Sequence, residues 1–579
     1  MKGGFPMVMM QGKVSKWLGL CIAVMVMVVS LGGMANAATM GLTFGWAYPT
    51  HFNHFAPNSM PGSGLINDPL AVQIRVTGEY IPRLAAEWEE AGTTLTVKLR
   101  EDVKWHDGVS FTSADVVDTF LLGKVLFWAV WDNIENVVAL DDHTVQFELS
   151  KRASLPRDLV VKQVLGQFIY PSHLYGQFLP EDTAPILAAT DIKDPLLQSI
   201  NEELISLRPE TFVGTGPFKV AGVTQARIMY EKNDDYYLAD RVKIDDIVVY
   251  QSMQNQVAWQ VRLTDKTDFD WAGSPKPVQE QWLRKPGAKL ALPWDFATYG
   301  LYFNTERLPL NVRKAIAYAV DRELLTAVAS FTNVPEESPT GLSPFTAEEW
   351  LSEDVLSSLE QYEYNPEKSK ELLLEAGYKE TEAGWLTPEG DPFEVTVIAP
   401  AGWSDWVITA ESVAVQLSAI GIEATATAVE QPGYWQQQSN GDYDMSIGWI
   451  GMWQVDPYMQ YRGLFVQNGT CYNATPEQYL RFGPEVDVPG LGKVNIKELT
   501  QRAASSDLEE KREAITALAR LVNEELPLMG LNAKRLQTFY STARFVGWPE
   551  EDSVLWQNVG GDALSALALF ITHSGLRPK

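Results

Sequence analysis

Cysteine is nearly absent. Cys21 lies in an apolar N-terminal run and only Cys471 follows it, so no intramolecular disulfide can form once that run is removed. The fold must rest on a hydrophobic core, which the 46% apolar content supplies. Basic charge is scarce as well: 46 Lys and Arg against 74 Asp and Glu leave a net charge of −28, which repels nucleic acid and anionic lipid alike. The six histidines, at 51, 54, 106, 143, 173 and 573, form no His-Glu-x-x-His pair. Pro49 and Pro57 flank His51 and His54 in a loop-like stretch, so no metal site is expected there. Neither a phosphate loop nor a dinucleotide fingerprint occurs. Gly214-Thr215-Gly216-Pro217 lacks a third glycine and sets proline where a helix should begin, so it reads as a turn and no cofactor is expected. Beyond the N-terminus no segment approaches the roughly 20 apolar residues needed to cross a bilayer.

That N-terminus has the form of a cleaved secretory signal. Lys2, Lys13 and Lys16 precede an apolar run from Trp17 to Gly33, and Ala35-Asn36-Ala37 supplies small residues before Ala38. Residues 1–37 are therefore read as the signal peptide, and the mature chain is expected in the periplasm or outside the cell. Its length suits two or three lobes.

Alternating apolar and polar residues predict half-buried strands over Leu95-Thr96-Val97-Lys98-Leu99-Arg100 and Val145-Gln146-Phe147-Glu148-Leu149. Helices interleave with them. Asn311 is placed to cap one with the apolar face Val312, Ala315, Ile316, Ala319 and Val320, and Asn365-Pro366 starts another that stops at Gly377. A third covers about Asp405 to Ile420, ends at Gly421 and feeds the strand Ile422 to Val429. Stretches at about 180–210 and 335–349 read as loop-rich. The fold class is α/β with mixed sheets.

Several segments, in order, resemble family 5 of the extracellular solute-binding proteins of ABC transporters, whose members bind dipeptides and oligopeptides. They are Pro82-Arg83-Leu84-Ala85-Ala86-Glu87-Trp88, the run from Leu95 through Trp105-His106-Asp107-Gly108 to Val117, and Gly214-Thr215-Gly216-Pro217-Phe218. Asn233-Asp234-Asp235-Tyr236-Tyr237, Tyr302-Phe303-Asn304-Thr305, Val312 to Arg322 and Ala376-Gly377-Tyr378 continue the series. The residues make local sense alone: Gly108 suits a tight turn, and Thr112 with Asp115 suits a helix start. The resemblance implies a two-lobed periplasmic-binding-protein fold of the large three-domain type, with a hinge. It assigns 38–78, 211–298 and 500–579 to a split first lobe, 79–210 to an added domain, and 299–499 to the second lobe. A monomer working with ABC permease subunits, and touching the membrane only through them, is the expected form.

Peptide-binding relatives carry an aspartate after a Gly-Trp-x-Gly element. Here Gly448-Trp449-Ile450-Gly451 is followed by Met452, and Asp456-Pro457 lies farther on. Without that carboxylate a buried ammonium is left unpaired, at a cost of several kcal/mol. Tryptophan is abundant, 19 in all, and flat rings stack on the C–H faces of sugars. Trp46, Trp271, Trp403, Trp449, Met452 and Trp453, with Asn53, His54, Gln454 and Asp456 as hydrogen-bonding groups, form the expected ligand site. The expected ligand is a neutral oligosaccharide of the β-glucan or mannan type, the alternative a peptide. A reading from another class, a glycoside hydrolase, rests only on carboxylates that need not be close in sequence. A receptor reporting to a membrane sensor is a third.

Overall fold

The structure, a computed structural model, describes residues 38–45, 51–57, 59, 63–151, 155–451, 454–466, 480–488, 491–560 and 562–579. The predicted signal peptide lies outside them. No helix among the described residues is long and apolar enough to cross a membrane.

Three sheets organise the chain. A seven-stranded sheet runs Ala288–Ala291, Thr538–Ser541, Phe269–Asp270, Thr39–Phe44, Asp246–Gln251, Arg227–Lys232, Phe218–Val223. Its central strand, Thr39–Phe44, pairs in parallel with Asp246–Gln251 and with Phe269, while the outer strands pair antiparallel. A six-stranded sheet runs Val334–Pro335, Leu528–Arg535, Trp294–Phe303, Met445–Ile450, Glu394–Pro400, Glu423–Val429. The added domain carries a four-stranded antiparallel sheet, Ala85–Ala91, Thr94–Leu99, Thr144–Leu149, Ile134–Asp141. In it Leu95, Val97, Leu99, Val145, Phe147 and Leu149 all face one core, as their period-two spacing requires.

Strands buried on both faces read as continuous apolar runs, and the centre of the six-stranded sheet shows this: every residue of Met445–Ile450 is buried. Leu528–Arg535 is built the same way and pairs with Trp294–Phe303. This moves a boundary. The segment from 500 to 535 was expected in the first lobe, yet it belongs to the second, because Leu528–Arg535 completes that sheet and Ile515, Leu518, Leu521 and Val522 of the helix Leu508–Glu525 join its core.

The chain consequently passes between lobes twice, at 291–294 and at 535–538. The crossings lie side by side: the Arg535 guanidinium donates to the Leu292 carbonyl at 2.8 Å, and the Leu536 amide donates to the Pro293 carbonyl at 2.8 Å. Two adjacent extended segments make a hinge.

Helix ends follow local chemistry. Asn365 caps Pro366–Glu375 through the Lys368 amide at 3.0 Å, and Gly377 beyond it has φ +88°. The helix Ser404–Ala419 is likewise followed by Gly421 at φ +88°. One cap differs from expectation. Leu310–Ala319 starts at Pro309, whose fixed φ suits a helix entrance, and Asn311 sits inside the first turn. The stretch 180–210 is not mostly loop: it holds helices Ala184–Ala188 and Pro195–Ser206, the second capped by Asp194. The stretch 335–349 likewise leads into Pro344–Trp350.

Candidate functional site

A cavity of about 410 Å³ opens between the lobes beside the hinge. The first lobe contributes Phe44, Asn255 and Trp271, the second Asp295, Tyr299, Trp403, Asp405, Trp406, Trp449 and Lys534, and the second crossing Arg535 and Gln537.

Trp449 owes its position to a glycine. A Cβ on Gly448 would lie 2.0 Å from the Tyr302 ring, so only glycine lets that ring cross the strand, and the Tyr302 hydroxyl then donates to the Trp449 carbonyl. Trp403 and Trp406 bracket the start of Ser404–Ala419. Their centroids are 5.0 Å apart, and Trp449 lies 5.2 Å from Trp403 and 4.7 Å from Trp406, tilted or edge-on as ring quadrupoles prefer. Trp435 backs Trp403 at 5.8 Å but does not line the cavity. Opposite them, Trp271 packs against Phe44 at 6.4 Å.

A buried clamp fixes Trp271. Arg262 is fully buried and donates to Asp270 at 2.6 Å and to the Ala272 carbonyl at 2.7 Å, while its guanidinium stacks 3.5 Å over Phe539. Asp270 also accepts from the Thr43 hydroxyl and the Ala272 amide, each at 2.8 Å. The segment from 270 to 272 is thus tied on both sides.

Charge gathers at the hinge. Lys534 lies 2.9 Å from Asp295. Burial works to strip its proton, but the Asp295 charge and hydrogen bond, helped by Asp405, hold it above the ordinary lysine range. The Tyr299 hydroxyl donates to Asp405 Oδ2 at 2.5 Å, and burial first, then the Asp405 charge, push that phenol well above its ordinary value. Tyr299 is therefore a neutral donor at physiological pH.

Of the residues expected from sequence, Trp271, Trp403 and Trp449 come together at this cavity. Asn53 and His54 do not. The Asn53 amide is buried and donates to the Leu204 carbonyl at 2.6 Å and the Leu207 carbonyl at 3.2 Å, tying the first lobe to Pro195–Ser206. His54 bonds the Val213 carbonyl at 3.0 Å and stacks on Tyr170 at 4.6 Å. Burial drives its imidazole down to about 3, so it stays neutral and structural. Gln454 sits in a turn, its carbonyl taken by the Gln460 amide at 2.6 Å. Asp456 caps Pro457–Phe465 and pairs with Lys511 at 2.9 Å, so its carboxylate serves the fold. Trp46, Met452 and Trp453 lie outside the described residues. Among the described residues no cluster of three His, Cys, Asp or Glu is arranged to hold a metal.

Sequence reasoning missed Tyr299, Asp295, Asp405 and Lys534. Asp405 had a signal, a carboxylate set between two tryptophans. Tyr299 and Lys534 sit in apolar strands and had none.

Two mixed α/β lobes, a double crossing and an aromatic cavity between them are the architecture of a two-lobed solute-binding protein. The profile of bacterial extracellular solute-binding proteins, family 5, matches residues 79–470, and the chain belongs to that family. It is a non-enzymatic substrate-binding subunit of an ABC importer. The dipeptide-binding protein of Escherichia coli (strain K12) is 26% identical over 481 residues, 77% of this chain and 79% of that protein. A mannohexaose-bound periplasmic oligopeptide-binding protein of Thermotoga maritima superposes with TM-score 0.74 at 22% identity, covering 94% of this chain and 100% of that one. The oligopeptide-binding protein AppA of Bacillus subtilis, in complex with a nonapeptide, gives 0.67 at 18% identity, covering 93% and 99%.

Proposed function

We propose that this protein captures short peptides between its lobes, outside the cytoplasm, and presents them to ABC permease subunits. The carrying observation is the charge in the cavity wall: Asp295, Asp405, Lys534 and Arg535 all line it. Sugar hydroxyls can hydrogen-bond these groups, but they bring no charge to Asp405, which has no Lys or Arg nitrogen within 4.0 Å among the described residues, whereas a peptide's ammonium does. The peptide-binding relatives add weight to this reading. Trp271, Trp403 and Trp449 then hold side chains rather than sugar faces.

Ligand touching both walls favours the closed state. Moving the populations from 1:99 to 99:1 takes about 5.5 kcal/mol of differential binding, within reach of several stacked rings and one or two buried ion pairs. A neutral oligosaccharide remains the second reading, favoured by the tryptophan wall and by the mannohexaose-bound relative. Calorimetry with di- to pentapeptides beside cello-, xylo- and manno-oligosaccharides separates them. Peptide binding is expected; sugar binding without any peptide response would replace this reading with the second.

A further inference from the structure

The cavity's cations are already engaged, and of its carboxylates without an ion pair Asp562 caps Ala563–Leu569 through Ser565, which leaves Asp405. Lys534 sits 2.9 Å from Asp295. Arg75, half-buried and outside the cavity lining, is drawn to Asp295 and Asp562. Arg535 donates to the Leu292 carbonyl and lies 4.3 Å over the Trp294 ring. Asp405 has no Lys or Arg nitrogen within 4.0 Å among the described residues, and its one side-chain hydrogen bond, to Oδ2, comes from the neutral Tyr299 hydroxyl. That bond aims the carboxylate without neutralising it.

The place where Asp405 stands is also where the lobes meet. The first-lobe Asn255 amide donates to the Ser404 hydroxyl at 3.1 Å, and a Cβ on Gly273 would come to 3.8 Å from Asp405 Oδ2. Trp403 and Trp406 flank it in sequence and line the same cavity, so a cation resting on the carboxylate has ring faces close by.

Resting on the peptide reading, we propose that Asp405 receives an alkylammonium group of the ligand, in the first instance a peptide's terminal ammonium. Asp405 holds that charge at the seam where Asn255 and Gly273 close over it, so recognition and closure occur at one point. Oδ1 accepts a hydrogen bond from the ammonium, which keeps its proton and charge, Oδ2 stays with Tyr299, and Trp403 shields the pair from water.

Calorimetry tests this with a tripeptide of alanine, its N-acetylated form, and an N-acetylated tripeptide containing lysine, against wild type, Asp405→Asn and Tyr299→Phe. Acetylation is expected to weaken wild-type binding by at least about 30-fold, and Asp405→Asn to weaken the free peptide by as much, with no further loss when both changes are combined. Tyr299→Phe, which frees the carboxylate to turn, should show a smaller loss of the same kind. A lysine peptide that binds despite acetylation and needs Asp405 assigns the same group to a side-chain ammonium. Free-peptide binding within about threefold of wild type in a cooperatively melting Asp405→Asn protein overturns the assignment and leaves the peptide reading standing. Absence of binding by every free peptide in the wild type overturns both.

Discussion

Glu336 shows what one side chain does when a fold buries it. It is 3% exposed, and neither carboxyl oxygen reaches hydrogen-bond geometry with a described residue. A Cβ on Gly530 would meet it at 1.7 Å, so the group lies flat on the sheet. Burial pushes its carboxyl up to about 8, with the Arg322 charge pulling the other way. An acid whose folded value exceeds its unfolded one binds more protons folded. Stability is therefore complete below the unfolded value near 4.5 and is lost as pH rises towards and through about 8. Glu336→Gln should remove that loss: between about pH 6 and pH 8 urea midpoints of wild type should fall relative to the variant by the equivalent of about 2 kcal/mol. Parallel curves would show that Glu336 is not protonated in the folded protein. Trp403 gives a prediction of another kind, since it is half-buried in the cavity wall and backed by Trp406 and Trp449. Trp403→Ala should raise the ligand Kd tenfold or more, about 1.4 kcal/mol per decade, while the protein still melts cooperatively. Unchanged affinity would remove Trp403 from the site. Residues were the least legible scale in the sequence. His54 and Asn53 look like ligand groups because their types allow it, and only their carbonyl partners in the fold show otherwise. Lys534 lies in a largely buried strand, and no periodicity marks a lysine that will meet Asp295 on the neighbouring strand Trp294–Phe303.

Elements were far more legible, because their causes are local. Alternation placed Thr94–Leu99 and Thr144–Leu149 to within a residue, and glycines at 377 and 421 stopped their helices where left-handed φ was needed. The helix Pro195–Ser206 was missed although Asp194, Pro195 and the spacing of Leu197, Ile200 and Leu204 all mark it. The segment 214–217 is a bend that leads into the strand Phe218–Val223 and not a helix start, and the reason for its glycines is long-range. A Cβ on Gly216 would lie 2.5 Å from the Ile66 backbone, so glycine there makes room for a neighbour distant in sequence. The same logic predicts that Gly448→Ala will destabilise the protein by about 1–3 kcal/mol, because the Tyr302 ring must move and its hydroxyl must leave the Trp449 carbonyl. Denaturant unfolding measures the loss. Ligand affinity should fall with it, since Trp449 stands on the displaced carbonyl; stability unchanged within about 0.5 kcal/mol would contradict the packing described.

At the scale of the molecule the family motifs indicated a two-lobed mixed α/β fold, which the sheets have, but Leu528–Arg535 joins the sheet of Trp294–Phe303 and not the one that holds Thr39–Phe44. That placement escaped because nothing between 500 and 535 shows which sheet will receive Leu528–Arg535; partners are chosen by three-dimensional closure, not by local pattern. The cavity escaped in part for the same reason, as stretches from 43–45, 252–255, 271–273, 295–299, 403–406 and 534–537, among others, build its walls.

The position of Thr538–Ser541, between Phe269–Asp270 and Ala288–Ala291, sets an order of events during synthesis. A polypeptide emerging from its amino end must leave those two strands unjoined while the entire second lobe is made, since the piece that fits between them arrives afterwards. The lobe that begins first finishes last, and until then it exposes raw strand edges of the sort that invite aggregation. Hydrogen exchange on nascent chains stalled before Thr538 has emerged should accordingly show amides of Met445–Ile450 better protected than those of Phe269–Asp270, a difference that release of the complete chain removes.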